Sequence, residues 1–192
     1  MSDKSLSLPL RRIFGVSEAP IESQLEPVSA GPAPITGPDV FETETLRRTW
    51  LLLEQKRGDK AMLSRADIDP GELRHVLPRV ALIEVHYAPQ RYRMRLAGTQ
   101  WTNDLGFDPT GKWLDQWPHE AQRQLLEASF AVTVAAKQAY STRRHAFIDG
   151  VKLLFEAMIL PLSPDGETVN MLLTISAPWR TDRTPATLIG KI

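Results

Sequence analysis

The residues able to do chemistry are few and scattered. Four histidines occur, His75, His86, His119 and His145, and no two stand three or four positions apart. A helix-borne metal site needs that spacing, because only such pairs share a helix face, and no His-Glu-x-x-His is present. His119, following Trp117-Pro118 at the start of a long helix, stands where an axial haem ligand is conceivable but reads as a surface residue of the first turn. Cysteine is absent, which removes disulfides, thiolate nucleophiles, thiolate zinc sites, iron–sulfur clusters and cysteine-adduct flavin chemistry together. No Gly-x-Ser-x-Gly or glycine-rich phosphate loop occurs either. Asp67 and Asp69 resemble a carboxylate pair, but just ahead of Pro70 they read as caps. Tyr92, Asp104 and Asp115 remain as groups for proton transfer in an apolar cleft, which keeps a small α+β cone-type enzyme as the alternative reading.

Arg91, Arg93 and Arg95 fall on one side of an alternating stretch. They suit an anionic surface, or cross-strand pairing with Glu84 or Glu156. Composition decides between these: 23 Lys+Arg stand against 23 Asp+Glu, net charge zero. A chain without excess positive charge lacks the attraction on which non-specific nucleic-acid binding rests, so no nucleic-acid partner is expected. Trp101, Phe107, Trp113 and Trp117, with Thr102 and Asn103 between them, line a small-molecule cavity or fill a core. The candidates for such a cleft are Tyr92, Met94, Trp101, Asn103, Trp113, Phe130, Phe155 and Met171. No metal site is expected. The cofactor is left open: none is required, and haem or a small metabolite is compatible.

The elements that must position these residues follow from periodicity. Residues 1–38 read as a disordered tail, because six of the fifteen prolines fall within the first 40 residues. Leu8 to Phe14 within it has the form of a short docking motif or of chance apolar residues. Neither a signal-peptide apolar core of roughly 7–15 residues nor a span of about 20 is visible, so a cytoplasmic protein without a membrane span is expected. A domain is expected over 39–180, with a C-terminal tail at 181–192. Asp39-Val-Phe-Glu42 resembles a capping box ahead of a helix over 39–57 with Leu46, Trp50 and Leu53 on its apolar stripe. Asp69-Pro70 opens a short helix through Leu77.

From residue 79 the period becomes two. Strands are expected over Arg79–Tyr87 and Arg91–Leu96, then irregular helical turns, a helix over His119–Ala136, and strands over Tyr140–Ile148, Val151–Leu160 and Thr168–Ser176. Asp149-Gly150 is a type I′ turn signal. The result is α+β: a five-stranded antiparallel sheet with helices on one face. Val151, Leu153, Phe155, Ala157 and Ile159, with Val169, Met171, Leu173 and Ile175, are expected beneath those helices. Leu154, Met158, Leu160 and Leu172 then lie on the opposite face, which needs apolar cover. Leu46, Trp50 and Leu53 of the first helix supply it, together with a homodimer contact.

This set of pieces resembles a PAS domain, and more closely the stand-alone PAS-like family widespread in alphaproteobacteria. The residues that carry the likeness are Trp50, Arg57-Gly58, Leu63-Ser-Arg-Ala-Asp-Ile-Asp-Pro70, Leu77-Pro78, Leu82-Ile-Glu-Val85, Tyr92-Arg-Met-Arg-Leu-Ala-Gly-Thr99, Leu105-Gly-Phe-Asp-Pro-Thr-Gly-Lys112 and Pro161-Leu-Ser-Pro-Asp-Gly166. The resemblance implies a five-stranded sheet with a cleft between sheet and helices. It implies sensing or protein–protein interaction in signal transduction, through dimers, and no catalysis. With only the tails 1–38 and 181–192 outside the domain, output is expected to come from a signalling partner, gated by a small ligand in the cleft.

Overall fold

The computed structural model describes residues 31–148 and 151–182. The Leu8–Phe14 motif and the Asp149-Gly150 turn lie outside these. The elements in chain order are β1 (Ala33–Pro34), α1 (Glu44–Arg57), β2 (Val80–His86), β3 (Arg91–Ala97), α2 (Thr99–Leu105), α3 (Glu120–Ala136), β4 (Tyr140–Ile148), β5 (Val151–Leu162) and β6 (Met171–Asp182). They build one antiparallel sheet in the order β1-β4-β5-β6-β2-β3. Helices α2 and α3 lie over one face and α1 over the other, with a buried apolar cluster on each side.

The sheet has six strands rather than five. The added strand, Ala33–Pro34, pairs with Tyr140 and Ser141 of β4 inside the segment expected to be tail. Two residues carry no readable period, and proline is tolerated there because the strand is at the sheet edge.

Helix α1 buries Leu46, Thr49, Trp50 and Leu53, one stripe at i, i+3, i+4 and i+7. It stops at Gly58, whose φ of 50° suits glycine and whose N–H returns to the Glu54 carbonyl. The expected capping box at Asp39 does not start it. Pro38–Val40 forms a separate 3-10 turn, and Thr43 is the N-cap. A capping box does occur at Ser64–Asp67, where each side chain reaches the other's backbone. The helix expected from Asp69 to Leu77 is a run of turns closed by a 3-10 turn at Leu77–Arg79. Asp69 Oδ1 accepts from the Gly71 N–H at 2.8 Å, which bends the chain instead of capping a helix. The chain crosses closely here: a Cβ on Gly98 would sit 2.4 Å from the Pro78 carbonyl oxygen.

The faces of β6 are opposite to those expected. Leu173 pairs with Leu160 and Ile175 with Met158, and directly opposed residues share a face. Met171, Leu173 and Ile175 therefore join Met158, Leu160, Leu46, Trp50 and Leu53 under α1. Leu172 packs with Ile83, Ile159, Phe130 and Trp101 under the other helices.

Candidate functional site

The face beneath α2 and α3 is the cleft side. Tyr92, Met94, Trp101 and Phe130 all lie in its buried cluster. The Tyr92 and Phe130 rings meet edge-on with centroids 5.3 Å apart. Trp101 Nε1 donates to the Arg79 carbonyl at 3.1 Å, which ties α2 to the entry of β2. Burial pushes the Tyr92 phenol up from its ordinary pKa, against an opposing donor from Gln90. Trp117 Nε1, Gln122 Oε1 and Thr174 Oγ1 are buried without a hydrogen-bond partner. Thr174 faces this side, because it pairs with Ile159 and Ala81.

Three expected cleft residues lie elsewhere. Asn103 is exposed on α2. Trp113 sits outside the edge strand β3, bridged to Arg93, with the Arg91 guanidinium 4.1 Å from its ring centre and His86 at 4.8 Å. Met171 lies under α1 by the register just described. The proton-transfer candidates are not gathered either. Asp104 faces Arg79 and Gln100, whereas Asp115 is an exposed partner of Arg91 at 2.7 Å. Tyr92 is packed against Phe130 and Gln90.

The arginine stripe is largely neutralised. Arg95 bonds Glu84 at 2.8 Å and Arg93 approaches it at 3.9 Å. The Arg95 donor holds the Glu84 carboxyl below its ordinary pKa. Glu84, Arg93 and Arg95 line a half-open pocket of about 460 Å3 with Arg65, Leu82, Met94 and Leu96. The histidines are dispersed: the His75 ring meets the Thr49 hydroxyl at 2.9 Å, and His119 is the α3 N-cap. Among the described residues no cluster of three or more His, Asp or Glu could hold a metal ion. With no cysteine in the chain, its residues do not fit a thiol-adduct flavin.

The expected phenylalanine of the cleft, Phe155, stands among charges that sequence reading missed. It is 3% exposed. The guanidinium carbons of Arg79 and Arg144 each lie 5.7 Å from its ring centre, and Arg144 is also 5.7 Å from the Trp101 ring. Cations over aromatic faces gain from the ring quadrupole. Asp104 Oδ2 stands 3.6 Å from Arg79 Nη1.

The opposite face carries the partner arrangement. Glu156, 1% exposed, accepts from the Glu42 N–H at 3.0 Å and the Thr43 N–H at 2.9 Å. Its Oε1 also accepts from Arg143 Nε at 3.1 Å, and Arg143 Nη2 donates to the Val40 carbonyl at 2.8 Å. A carboxylate from β5 therefore holds the two amides just ahead of α1, at the positive end of a helix whose N-cap, Thr43, makes no side-chain cap bond. The two arrangements are back to back. Arg143 pairs with Glu156 and Arg144 with Phe155, and successive strand residues face opposite sides. The signal was present in Arg143-Arg144, since two consecutive arginines in a strand must serve both faces.

The sequence model of a PAS domain matches residues 40–176. The chain belongs to the PAS domain family. No curated protein matches the chain. Solved structures with a similar outline are light-oxygen-voltage domains. One, studied with a flavin analogue, is 9% identical with a TM-score of 0.39, covering 56% of this chain and 82% of its own. A fungal light-oxygen-voltage photoreceptor is 15% identical with a TM-score of 0.38, covering 68% and 89%. An RNA-binding light-oxygen-voltage receptor is 19% identical with a TM-score of 0.40, covering 79% of this chain and 39% of that one.

Proposed function

We propose that the protein is a non-enzymatic, cytoplasmic signalling module that acts by contact with a protein partner, works as a homodimer and is gated by a small ligand in the cleft. Membership of the PAS family supports the signalling part of this reading. The observation that carries the gating is the back-to-back register of Arg144–Phe155 in the cleft and Arg143–Glu156 under α1. A ligand that moves Arg144 displaces the backbone that also holds Arg143, and so shifts the balance between α1 docked and α1 released. Two exposed leucines, Leu51 on α1 and Leu96 on the same side of the sheet, give that layer apolar contact surface. No helix among the described residues is long and apolar enough to cross a membrane, and zero net charge supports a protein rather than a nucleic-acid partner.

Native mass spectrometry of freshly purified protein, wild type and Glu156→Gln, tests this. The expected result is a dimer whose population changes when the bonds to the amides ahead of α1 are weakened. A monomer in both proteins, with no partner recovered by either, contradicts it.

A further inference from the structure

Arg144 makes no hydrogen bond and no ion pair among the described residues, although its guanidinium carbon lies 5.7 Å from both the Trp101 and the Phe155 ring centres. Burial lowers its pKa, with Asp104 acting to raise it and Arg79 to lower it further. Arg79 Nη1 is itself buried without a hydrogen bond, since Asp104 stops at 3.6 Å. Guanidinium groups carry five donors in a fixed fork. Arg144 is half-buried with its fork unmatched, and the buried Arg79 Nη1 beside it is a donor that is costly to leave without an acceptor. Among the described residues, two cations against one carboxylate leave one positive charge uncompensated at this end of the cleft. The neighbouring floor is of small side chains, since Thr142, Ala157 and Ser176 oppose one another across β4, β5 and β6.

We infer that this end of the cleft binds a small organic monocarboxylate, its carboxylate paired with the Arg144 fork and its apolar body against Trp101 and Phe155. A single negative charge completes the local balance. The hydrogen phosphate dianion, the prevailing form at mildly alkaline pH, would exceed it by one, which disfavours it in a site of low polarity. Planar carboxylates match the guanidinium fork bidentately, and the aromatic walls favour a hydrocarbon body over a hydrated one. The inference rests on the ligand-gated reading above and names its ligand class.

Calorimetric titration of the full chain with sodium benzoate, sodium hexanoate and sodium phosphate, at mildly alkaline pH and constant ionic strength, tests it. Saturable binding of benzoate or hexanoate, with none of phosphate, is expected. Arg144→Gln is expected to weaken that binding about tenfold or more. Its unliganded melting temperature should stay close to that of the wild type, because Arg144 makes no hydrogen bond or ion pair among the described residues for the substitution to break. Should Arg144→Gln fail to fold, Arg144→Lys keeps the charge without the fork and is expected to weaken binding by a smaller factor. Asp104→Asn, which raises the local charge by one, is expected to admit phosphate. The inference is overturned if neither carboxylate binds, if phosphate binds the wild type better, or if Arg144 variants bind unchanged. Dimerisation of the unliganded wild type, measured by native mass spectrometry, needs no ligand, so loss of the ligand class and loss of the contact function read out separately.

Discussion

Arg143 and Arg144 are neighbours on β4 that serve opposite faces of one sheet. Arg143 bonds the buried Glu156 at 3.1 Å beneath α1, and Arg144 stands over the Phe155 and Trp101 rings in the cleft. Each cation meets its partner on β5 in register. The expectations below follow from this pairing and from the packing around it.

Glu156→Gln keeps the size of the side chain but removes its charge and one acceptor. The Glu42 and Thr43 amides and Arg143 then share a weaker partner. Urea unfolding is expected to show a loss of about 1–3 kcal/mol. Loss confined to a few tenths would mean that α1 is held by apolar packing alone.

Gly98→Ala places a methyl group against backbone rather than against a flexible side chain, 2.4 Å from the Pro78 oxygen. The two segments must separate, at a cost of about 1–3 kcal/mol by denaturant unfolding. Unchanged stability would show that the two segments separate without cost at this crossing.

Leu173, fully buried opposite Leu160, and Leu51, 55% exposed on α1, are the same residue type in opposite settings. Leu173→Ala is expected to cost about 2–5 kcal/mol. Leu51→Ala is expected to stay within about 0.5 kcal/mol, while weakening self-association in sedimentation experiments. Equal effects on stability would contradict the placement of α1.

Asp67 is held at a pKa of about 2, below the ordinary 3.8, first by the Lys60 donor and then by the Ser64 amide and hydroxyl. A depressed folded-state value contributes stability above the ordinary pKa and loses it as pH falls through about 2. Asp165, held down chiefly by Ser163 and the Thr168 and Glu167 amides, acts in the same direction. The stability gap between wild type and Asp67→Asn is therefore expected to narrow between about pH 5 and pH 2. Added salt should shrink it, since Lys60 is exposed. A gap independent of pH would remove the charge from the account.

Much of this architecture is legible in the sequence. The Leu46, Trp50, Leu53 stripe is a clean helical period, and the strand pairs read from alternation. The face of β6 was not legible because Met171, Leu172 and Leu173 are consecutive and apolar. With both parities hydrophobic, pattern alone cannot set the register, and pairing to β5 decides it. The same applies to the cleft. Tyr92, Trp101 and Phe130 were readable as buried aromatics, but Asn103 and Trp113 sit outside because the turns around α2 carry no period. Glu156 was readable as a cross-strand partner, although for the wrong arginines. Its bond to the Glu42 amide spans 114 residues, a relation that no local signal encodes.

In the proposed function the cleft and α1 communicate through the β4–β5 register. Amide hydrogen exchange of the full chain, comparing wild type with Arg144→Gln and with Arg91→Gln as a distant control, tests it most directly. Altered protection of the Glu42 and Thr43 amides is expected in Arg144→Gln alone, on the face opposite the substitution. Protection of those two amides identical in all three proteins, while amides around Phe155 change, would contradict it.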